Sequence, residues 1–362
     1  EHRVVVAFAA GAEDLGIPLF VGTDLLFRKE PFYLLRRLFR AVIDDRRWAL
    51  PLNSHLLPSV WGRWCRPAAV RQADCPAATF PHSLCLMTDK VSIDLTGPAQ
   101  TMLTTLYLKA LDADFERPVL GDQFAKEAID RIDYDWRELG VSGTWAPLVT
   151  VRTAQYDIWT RQFLAVHGPC TIVHLGCGLD SRVFRIDPGP DVQWYDVDFP
   201  GVIALREQIY PSRPNYHLLP TPATELSWLD QIPADKPVLF LAEGISMYLT
   251  EEDGIALLRR VVGRFPSGEL QIDFYNWVGI RSQRMQTLVR RTGSTLHWAV
   301  NRPDDILSRV PGIRLLASAT LFDASTAERG SGPFRAVRRA VTVLPPVRKA
   351  LQYHRYAFGP VT

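Results

Sequence analysis

Residues 171–182 read Thr-Ile-Val-His-Leu-Gly-Cys-Gly-Leu-Asp-Ser-Arg, an apolar run that ends at Gly176 and Gly178. The run predicts a buried strand, and the residues after the glycines predict the start of a helix. Two glycines this close allow the backbone to approach a ligand where a Cβ atom would collide. Nucleotide-containing cofactors are held in this way at the carboxyl ends of parallel strands. Tight turns without a ligand use the same residues, so the turn alone leaves the presence of a ligand site open.

A second strand-like run, 192–198, ends in acidic residues. Asp198 stands about 20 positions after Gly178, the spacing at which a carboxylate binds ribose hydroxyls. Asp196 and Asp198 are therefore candidate ribose ligands. The alternative is that one of them caps the helix predicted to begin near Pro200.

Two residues of the turn discriminate between cofactors. Ser181 stands where a dinucleotide fingerprint has its third glycine, and Asp180 would bring negative charge to the place of a pyrophosphate. Both disfavour NAD and FAD. S-adenosylmethionine contains a ribose but no phosphate, so the pattern favours a class I methyltransferase. The alternative enzyme is a nicotinamide-dependent oxidoreductase on a similar sheet.

Three motifs in order, 174–185, 194–200 and 242–249, resemble the leucine carboxyl methyltransferase family. Within it, they are most similar to the bacterial branch that includes the tetracenomycin type of polyketide O-methyltransferase. The resemblance begins at about residue 96 and continues to the end of the chain. It implies an S-adenosylmethionine-dependent O-methyltransferase that transfers a methyl group in line to a carboxylate or phenol of a small, polyketide-like acceptor. A non-catalytic, methyltransferase-like binding protein is a further alternative.

The resemblance also implies roles for individual residues. Arg152 would bind the methionyl carboxylate of the cofactor through two charge-assisted hydrogen bonds, and Glu243 would contact the amino group or the methyl site. The expected cofactor-binding residues are Lys109, Arg152, Gly176, Gly178, Asp196, Asp198, Ala223, Thr224 and Glu243.

Two of these assignments depart from the family pattern. Lys109 matches it loosely, and a solvated helix face is the alternative. Relatives have an aspartate beside the adenine, whereas segment 220–225 has none. Backbone groups near Ala223 and Thr224 are therefore the expected adenine contacts.

The acceptor determines whether a base is needed. A carboxylate is already ionised at neutral pH. A phenol has an ordinary pKa of about 10, so its methylation benefits from a base that removes the proton. Tyr275 and His297 are candidates on the acceptor side, and ordinary packing is the alternative for both. Since no nucleophilic triad is evident, we expect catalysis by positioning.

The alternation of strands and helices predicts an α/β fold with a doubly wound, mostly parallel, seven-stranded, Rossmann-like sheet of the class I methyltransferase type. The last two strands should form an antiparallel edge pair. Predicted helices span 98–112, 121–130 and 155–166, and predicted strands lie near 171–175, 192–197, 237–242, 269–274, 314–321 and 352–358.

The chain divides into three predicted regions: an extension of low order or non-native origin over 1–86, a helical cap over 87–167, and the cofactor-binding core over 168–362. An insertion at about 276–309 should build the acceptor pocket.

Composition restricts the partners. The net charge of +2 over 362 residues gives no case for nucleic acid binding, and the basic stretch after Glu328 is interpreted as a solvated face. We expect a small-molecule acceptor and neither a nucleic acid nor a membrane partner. Five cysteines without Cys-x-x-Cys spacing predict no metal and a reducing, cytoplasmic location. The oligomeric state stays open.

Overall fold

A computed structural model describes residues 90–93, 99–285, 293–342 and 344–360. They all belong to one compact unit, Leu84–Thr362. The predicted extension over 1–86 lies outside the described residues, as does residue 98, the predicted first residue of a helix. Part of the predicted insertion, 286–292, is also outside them.

A seven-stranded sheet with the order β5-β4-β3-β6-β7-β9-β8 organises this unit. Neighbours from β5 to β7 are parallel, and β9 runs antiparallel to both β7 and β8. The order confirms the predicted class I methyltransferase sheet with its antiparallel edge. A separate pair comprises β1, Val91–Ser92, and β2, Ile132–Asp133. The sheet strands are β3, Cys170–Leu175; β4, Val192–Asp198; β5, Tyr216–Pro220; β6, Val238–Ala242; β7, Gly268–Tyr275; β8, Ile313–Thr320; and β9, Leu351–Phe358.

Helices cover both faces of the sheet, as short parallel connections require. The longest, α3, begins with Pro147 at its first turn, a position where the missing N–H costs nothing. The side chain of Asp122 caps α2 by accepting the N–H of Ala125, and the side chain of Thr250 caps α6 by accepting the N–H of Asp253. The helices are α1, Ala99–Ala113; α2, Gln123–Arg131; α3, Pro147–Val166; α4, Arg182–Ile186; α5, Pro200–Ile209; α6, Glu251–Arg264; α7, Trp277–Arg281; α8, Asp304–Leu307; α9, Gly332–Thr342; and α10, Pro345–Arg348.

The central strands bury both faces. In β3, Val173 and Leu175 pack into one hydrophobic cluster, whereas Cys170 and Ile172 pack into the cluster on the opposite face. Alternate residues of a strand point to opposite faces, so one continuous apolar run supplies both clusters. Their burial fixes the end of β3, and therefore the position of the glycine turn that follows it.

Candidate cofactor and active site

Four adjacent strands bring one row of residues to the same edge of the sheet. Leu175 pairs with Val197 on one side and with Ala242 on the other, and Ala242 pairs with Ile272. The next position on each strand therefore falls at one level. We call these four residues the strand-end row: Asp198, Gly176, Glu243 and Asp273.

The turn after β3 has the backbone conformation that its glycines predict. Gly176 and Gly178 both have positive φ, at 63° and 51°. A Cβ atom on Gly176 would lie 2.8 Å from Cδ1 of Ile245, so the turn allows no larger residue there without displacement. The N–H of Gly176 donates to the carbonyl of Val197 at 2.8 Å, which ties the turn to β4.

Asp198 is the half-exposed carboxylate of the row. It accepts the N–H of Gly178 at 2.8 Å and the N–H of Phe199 at 2.7 Å, one at each oxygen. Burial raises the pKa of Asp198 although these two N–H groups act in the opposite direction. Each carboxylate oxygen can accept a further hydrogen bond, which suits a ligand with two neighbouring hydroxyls.

Asp196 lies two residues earlier on β4 and is buried inside the protein. Its carboxylate accepts from the indole N–H of Trp194 at 2.8 Å, from the hydroxyl of Tyr216 at 2.6 Å and from Arg206. The two candidate acids are thus in different surroundings. Only Asp198 retains exposed surface at the strand end.

Arg206, from α5, was not among the predicted residues, yet it connects Asp196 to the glycine turn. Its guanidinium donates to the carbonyls of Gly178 at 2.8 Å and Asp180 at 2.9 Å, and it is 1% exposed. These hydrogen bonds fix the backbone of the glycine turn, because one planar guanidinium contacts the carbonyls of Gly178 and Asp180 and the carboxylate of Asp196 at the same time.

Glu243 follows β6 and lies between two arginines. It accepts Nε of Arg152 at 3.0 Å, the hydroxyl of Thr153 at 2.8 Å and the guanidinium of Arg182. Burial alone would raise the pKa of Glu243, but Arg182 and Arg152 outweigh it and lower this pKa to about 2. Glu243 is therefore a fixed anion at neutral pH.

Asp273 is the member of the row that the sequence analysis missed. It accepts from the terminal nitrogen Nη1 of Arg152 at 2.8 Å and from the N–H of Gly244 at 2.8 Å. The sequence did contain an indication of it, because Asp273, like Asp198, is an acidic residue near the end of a predicted strand. Arg152 thus lies between two carboxylates at the strand ends.

Lys109 is not on a solvated helix face. It is 4% exposed, and its ammonium donates to Asp180 at 2.9 Å. Asp180 also pairs with Arg182 and Arg185, and although burial opposes ionisation, these cations hold the pKa of Asp180 well below its usual range. The negative charge of Asp180 is therefore neutralised by cations of the protein itself. Asp180 thus argues less strongly against a cofactor pyrophosphate at the glycine turn than its sequence position suggests.

Ala223 and Thr224 follow β5 beside Asp198, because Pro220 at the end of β5 pairs in register with Asp198. Ala223 packs partly against the core, whereas Thr224 is exposed. Segment 220–225 is thus near the ribose candidate, as an adenine contact requires.

Tyr275 and His297 lie at the same edge of the sheet. His297 has an exposed side chain, and its backbone N–H donates to the carbonyl of Met247 at 2.8 Å. The carbonyl of Tyr275 accepts the N–H of Val300 at 2.9 Å. Segment 296–300 of the predicted insertion therefore crosses the ends of β6 and β7. Burial raises the pKa of Tyr275 to about 12, although Arg152 acts in the opposite direction, so its phenol is neutral at pH 7.

Comparison with known proteins gives the family. The family model described as leucine carboxyl methyltransferase matches residues 103–262. The tetracenomycin polyketide synthesis O-methyltransferase of Streptomyces glaucescens is 40% identical over 273 residues, which cover 74% of this chain and 99% of that relative. An S-adenosyl-L-methionine-dependent methyltransferase of Gibberella zeae is 34% identical over 62% of this chain and 83% of its own length. Among solved structures, a DUF574 family protein of Streptomyces avermitilis aligns with a TM-score of 0.47 and 16% identity, covering 70% of this chain and 97% of its own.

The strand order and these relatives together define a class I, S-adenosylmethionine-dependent methyltransferase. The chain belongs to the leucine carboxyl methyltransferase family. The cofactor predicted from the glycine turn is confirmed, and the nicotinamide alternative is not supported. Within the described residues, no helix is both long enough and apolar enough to cross a membrane.

Proposed function

We propose that this enzyme methylates an oxygen atom of a small, polyketide-like acceptor, and that a carboxylate is the group methylated. The relative from Streptomyces glaucescens is named for polyketide O-methylation, which supports the acceptor class. The observation that carries the proposal is the strand-end row. In this row Arg152 is held between Glu243 after β6 and Asp273 on β7, and Asp198 lies two strands away from Glu243, at the end of β4.

S-adenosylmethionine supplies an electrophilic methyl group on a sulfonium. In this proposal, Gly176 and Gly178 allow close approach of the backbone, and Asp198 accepts the ribose hydroxyls. Arg152 binds the methionyl carboxylate, and Glu243 stabilises the positive charges of the same end.

The remaining candidates have supporting roles in the proposal. Lys109 acts as the counter-ion of Asp180 under the glycine turn. Asp196 orients Arg206, and backbone groups at Ala223 and Thr224 contact adenine.

The two tyrosines of the acceptor side support the preference for a carboxylate. Tyr275 and Tyr248 pack with Met247, Leu296 and Ile280 in one small apolar cluster. Burial raises the pKa of both tyrosines, so at neutral pH they are hydrogen-bond donors and not bases. An acceptor that is already ionised needs no base, whereas a phenol must lose a proton. Catalysis then consists of aligning the acceptor oxygen and excluding water.

Composition supports the remaining partners of this proposal. The net charge of +2 and the buried thiols of Cys170 and Cys177 are consistent with a cytoplasmic enzyme that requires no nucleic acid or membrane.

The acceptor is tested by transfer of labelled methyl from S-adenosylmethionine to matched pairs of aromatic acids and phenols. We expect label in the acids, in a product that mild base cleaves, because esters hydrolyse and aryl ethers do not. Arg152→Ala is the inactive control. Label that survives base treatment would contradict the carboxylate and identify a phenol acceptor.

Asp198→Asn tests the cofactor site. The change keeps the shape but removes the charge, so we expect S-adenosylhomocysteine to bind about 10- to 100-fold more weakly, the range of hydrogen bonds to a charged group. Isothermal titration calorimetry measures the affinity. Asp230→Asn is the control, since Asp230 is an exposed acid whose side chain is 55% accessible. Wild-type affinity in Asp198→Asn would remove Asp198 from the site.

A further inference from the structure

Asp273 lies behind Arg152 and has no exposed surface. In the group of three charges, the side chain of Arg152 is 13% exposed, that of Glu243 is 5% exposed and that of Asp273 is 0% exposed. The part of this group that a ligand can reach therefore belongs mainly to the arginine. The two carboxylates support it from within the protein.

The two carboxylates divide the donors of the guanidinium. A guanidinium has five N–H groups. Glu243 takes the one on Nε at 3.0 Å, and Asp273 takes one on the terminal nitrogen Nη1 at 2.8 Å. The other three are on the two terminal nitrogens, which form the fork that binds a carboxylate in a bidentate manner.

The same carboxylate of Asp273 fixes the backbone beside this fork. It accepts the N–H of Gly244 at 2.8 Å, and Ser246 donates its hydroxyl to the carbonyl of Asp273. Gly244 has a φ of 74°, and a Cβ atom there would lie 3.3 Å from Nη2 of Arg152. Asp273 therefore fixes the orientation of the Arg152 guanidinium and also the position of the Gly244 turn that packs against this guanidinium.

We propose that Asp273 is a positioning residue that orients Arg152 to bind the carboxylate of the methionyl end of the cofactor. The inference rests on the proposed role of Arg152. One carboxylate at Nε leaves the guanidinium plane free to turn, whereas a second one at Nη1 fixes the plane. A fixed fork loses less conformational entropy when it binds its ligand.

Two ligands that differ at the methionyl end provide the test. S-adenosylhomocysteine has the carboxylate, whereas 5′-methylthioadenosine has the adenosine and the sulfur but lacks the amino acid end. For Asp273→Asn we expect S-adenosylhomocysteine to bind about 10-fold more weakly or worse, the lower end of the range for a hydrogen bond to a charged group. Binding of methylthioadenosine should stay the same. Calorimetry measures both affinities without turnover.

Glu269→Gln is the matched control. Glu269 is on the same strand, is similarly buried and pairs with Arg355 at 2.7 and 2.8 Å. It lies at the opposite end of β7, so its loss should reduce stability without changing the ratio of the two affinities.

Four outcomes would overturn the inference. Equal weakening of both ligands by Asp273→Asn would indicate a structural role only. Unchanged S-adenosylhomocysteine binding would show that Asp273 does not position Arg152, and tighter binding would show that Asp273 competes for it. A wild-type protein that binds neither ligand would overturn the proposed function as well. If Asp273→Asn fails to fold, Gly244→Ala provides a second test, because its Cβ atom displaces the Arg152 fork without removing a charge. This variant must bind S-adenosylhomocysteine more weakly than wild type while its affinity for methylthioadenosine stays the same.

Discussion

Replacing Glu243 with alanine is expected to reduce the free energy of unfolding at pH 7 by about 3–5 kcal/mol, the cost of breaking a buried ion pair from one side. The substitution leaves Arg152 and Arg182 facing each other without the anion that separates them. It also removes the acceptor of the Thr153 hydroxyl. Chemical denaturation at pH 7 measures the loss. The control is Glu251→Ala, which breaks an exposed pair with Arg309 and should cost less than about 1 kcal/mol.

The same residue predicts a pH dependence. The pKa of Glu243 falls from an ordinary value of 4.5 to about 2 in the folded protein, because Arg182 and Arg152 outweigh the effect of burial. A lowered pKa means that the unfolded chain binds a proton more readily than the folded one. The stabilisation from Glu243 is therefore complete above about pH 4.5 and is lost as the pH falls toward 2. The stability difference between wild type and Glu243→Gln should shrink over this range, and a constant difference would contradict the charge network.

Long apolar runs made the central strands β3 and β6 predictable from the sequence. β3 and β6 are buried on both faces, so their sequences are apolar over most of their length. β7 is buried as well, but its sequence alternates polar residues with apolar ones. β5, Tyr216–Pro220, was not predicted, because a partly buried run of five residues that ends in proline shows no clear alternation of polar and apolar residues. It is the edge strand beside β4, where partial burial relaxes the demand for apolar residues.

The site could be predicted where the signal is local. Gly176, Asp198 and Glu243 each follow a recognisable strand, so position at a strand end identified them. Their partners could not be found in this way. Arg152 and Asp273 are 121 positions apart in the sequence, and only the register of β6 and β7 brings Asp273 level with Glu243. Lys109 was ambiguous for the same reason, since its partner Asp180 is 71 positions away.

Arg206→Met is expected to reduce both stability and cofactor affinity, for two separable reasons. The change leaves Asp196 as a buried carboxylate without its cation, which should cost about 3–5 kcal/mol. It also removes the donor to the carbonyls of Gly178 and Asp180, so the glycine turn loses its support from below. Thermal or chemical unfolding reports the first effect, and calorimetry with S-adenosylhomocysteine reports the second.

A second substitution separates the two effects. In Arg206→Met/Asp196→Asn the unpaired charge is gone, so the combined loss of stability should be smaller than the sum of the single losses by at least about 1 kcal/mol, as expected for residues in contact. The carbonyls of Gly178 and Asp180 still lack their donor in the double variant. Cofactor affinity should therefore stay low while stability partly recovers. Recovery of both together would mean that Arg206 supports cofactor binding only by stabilising the fold, and that the hydrogen bonds to the turn contribute nothing of their own.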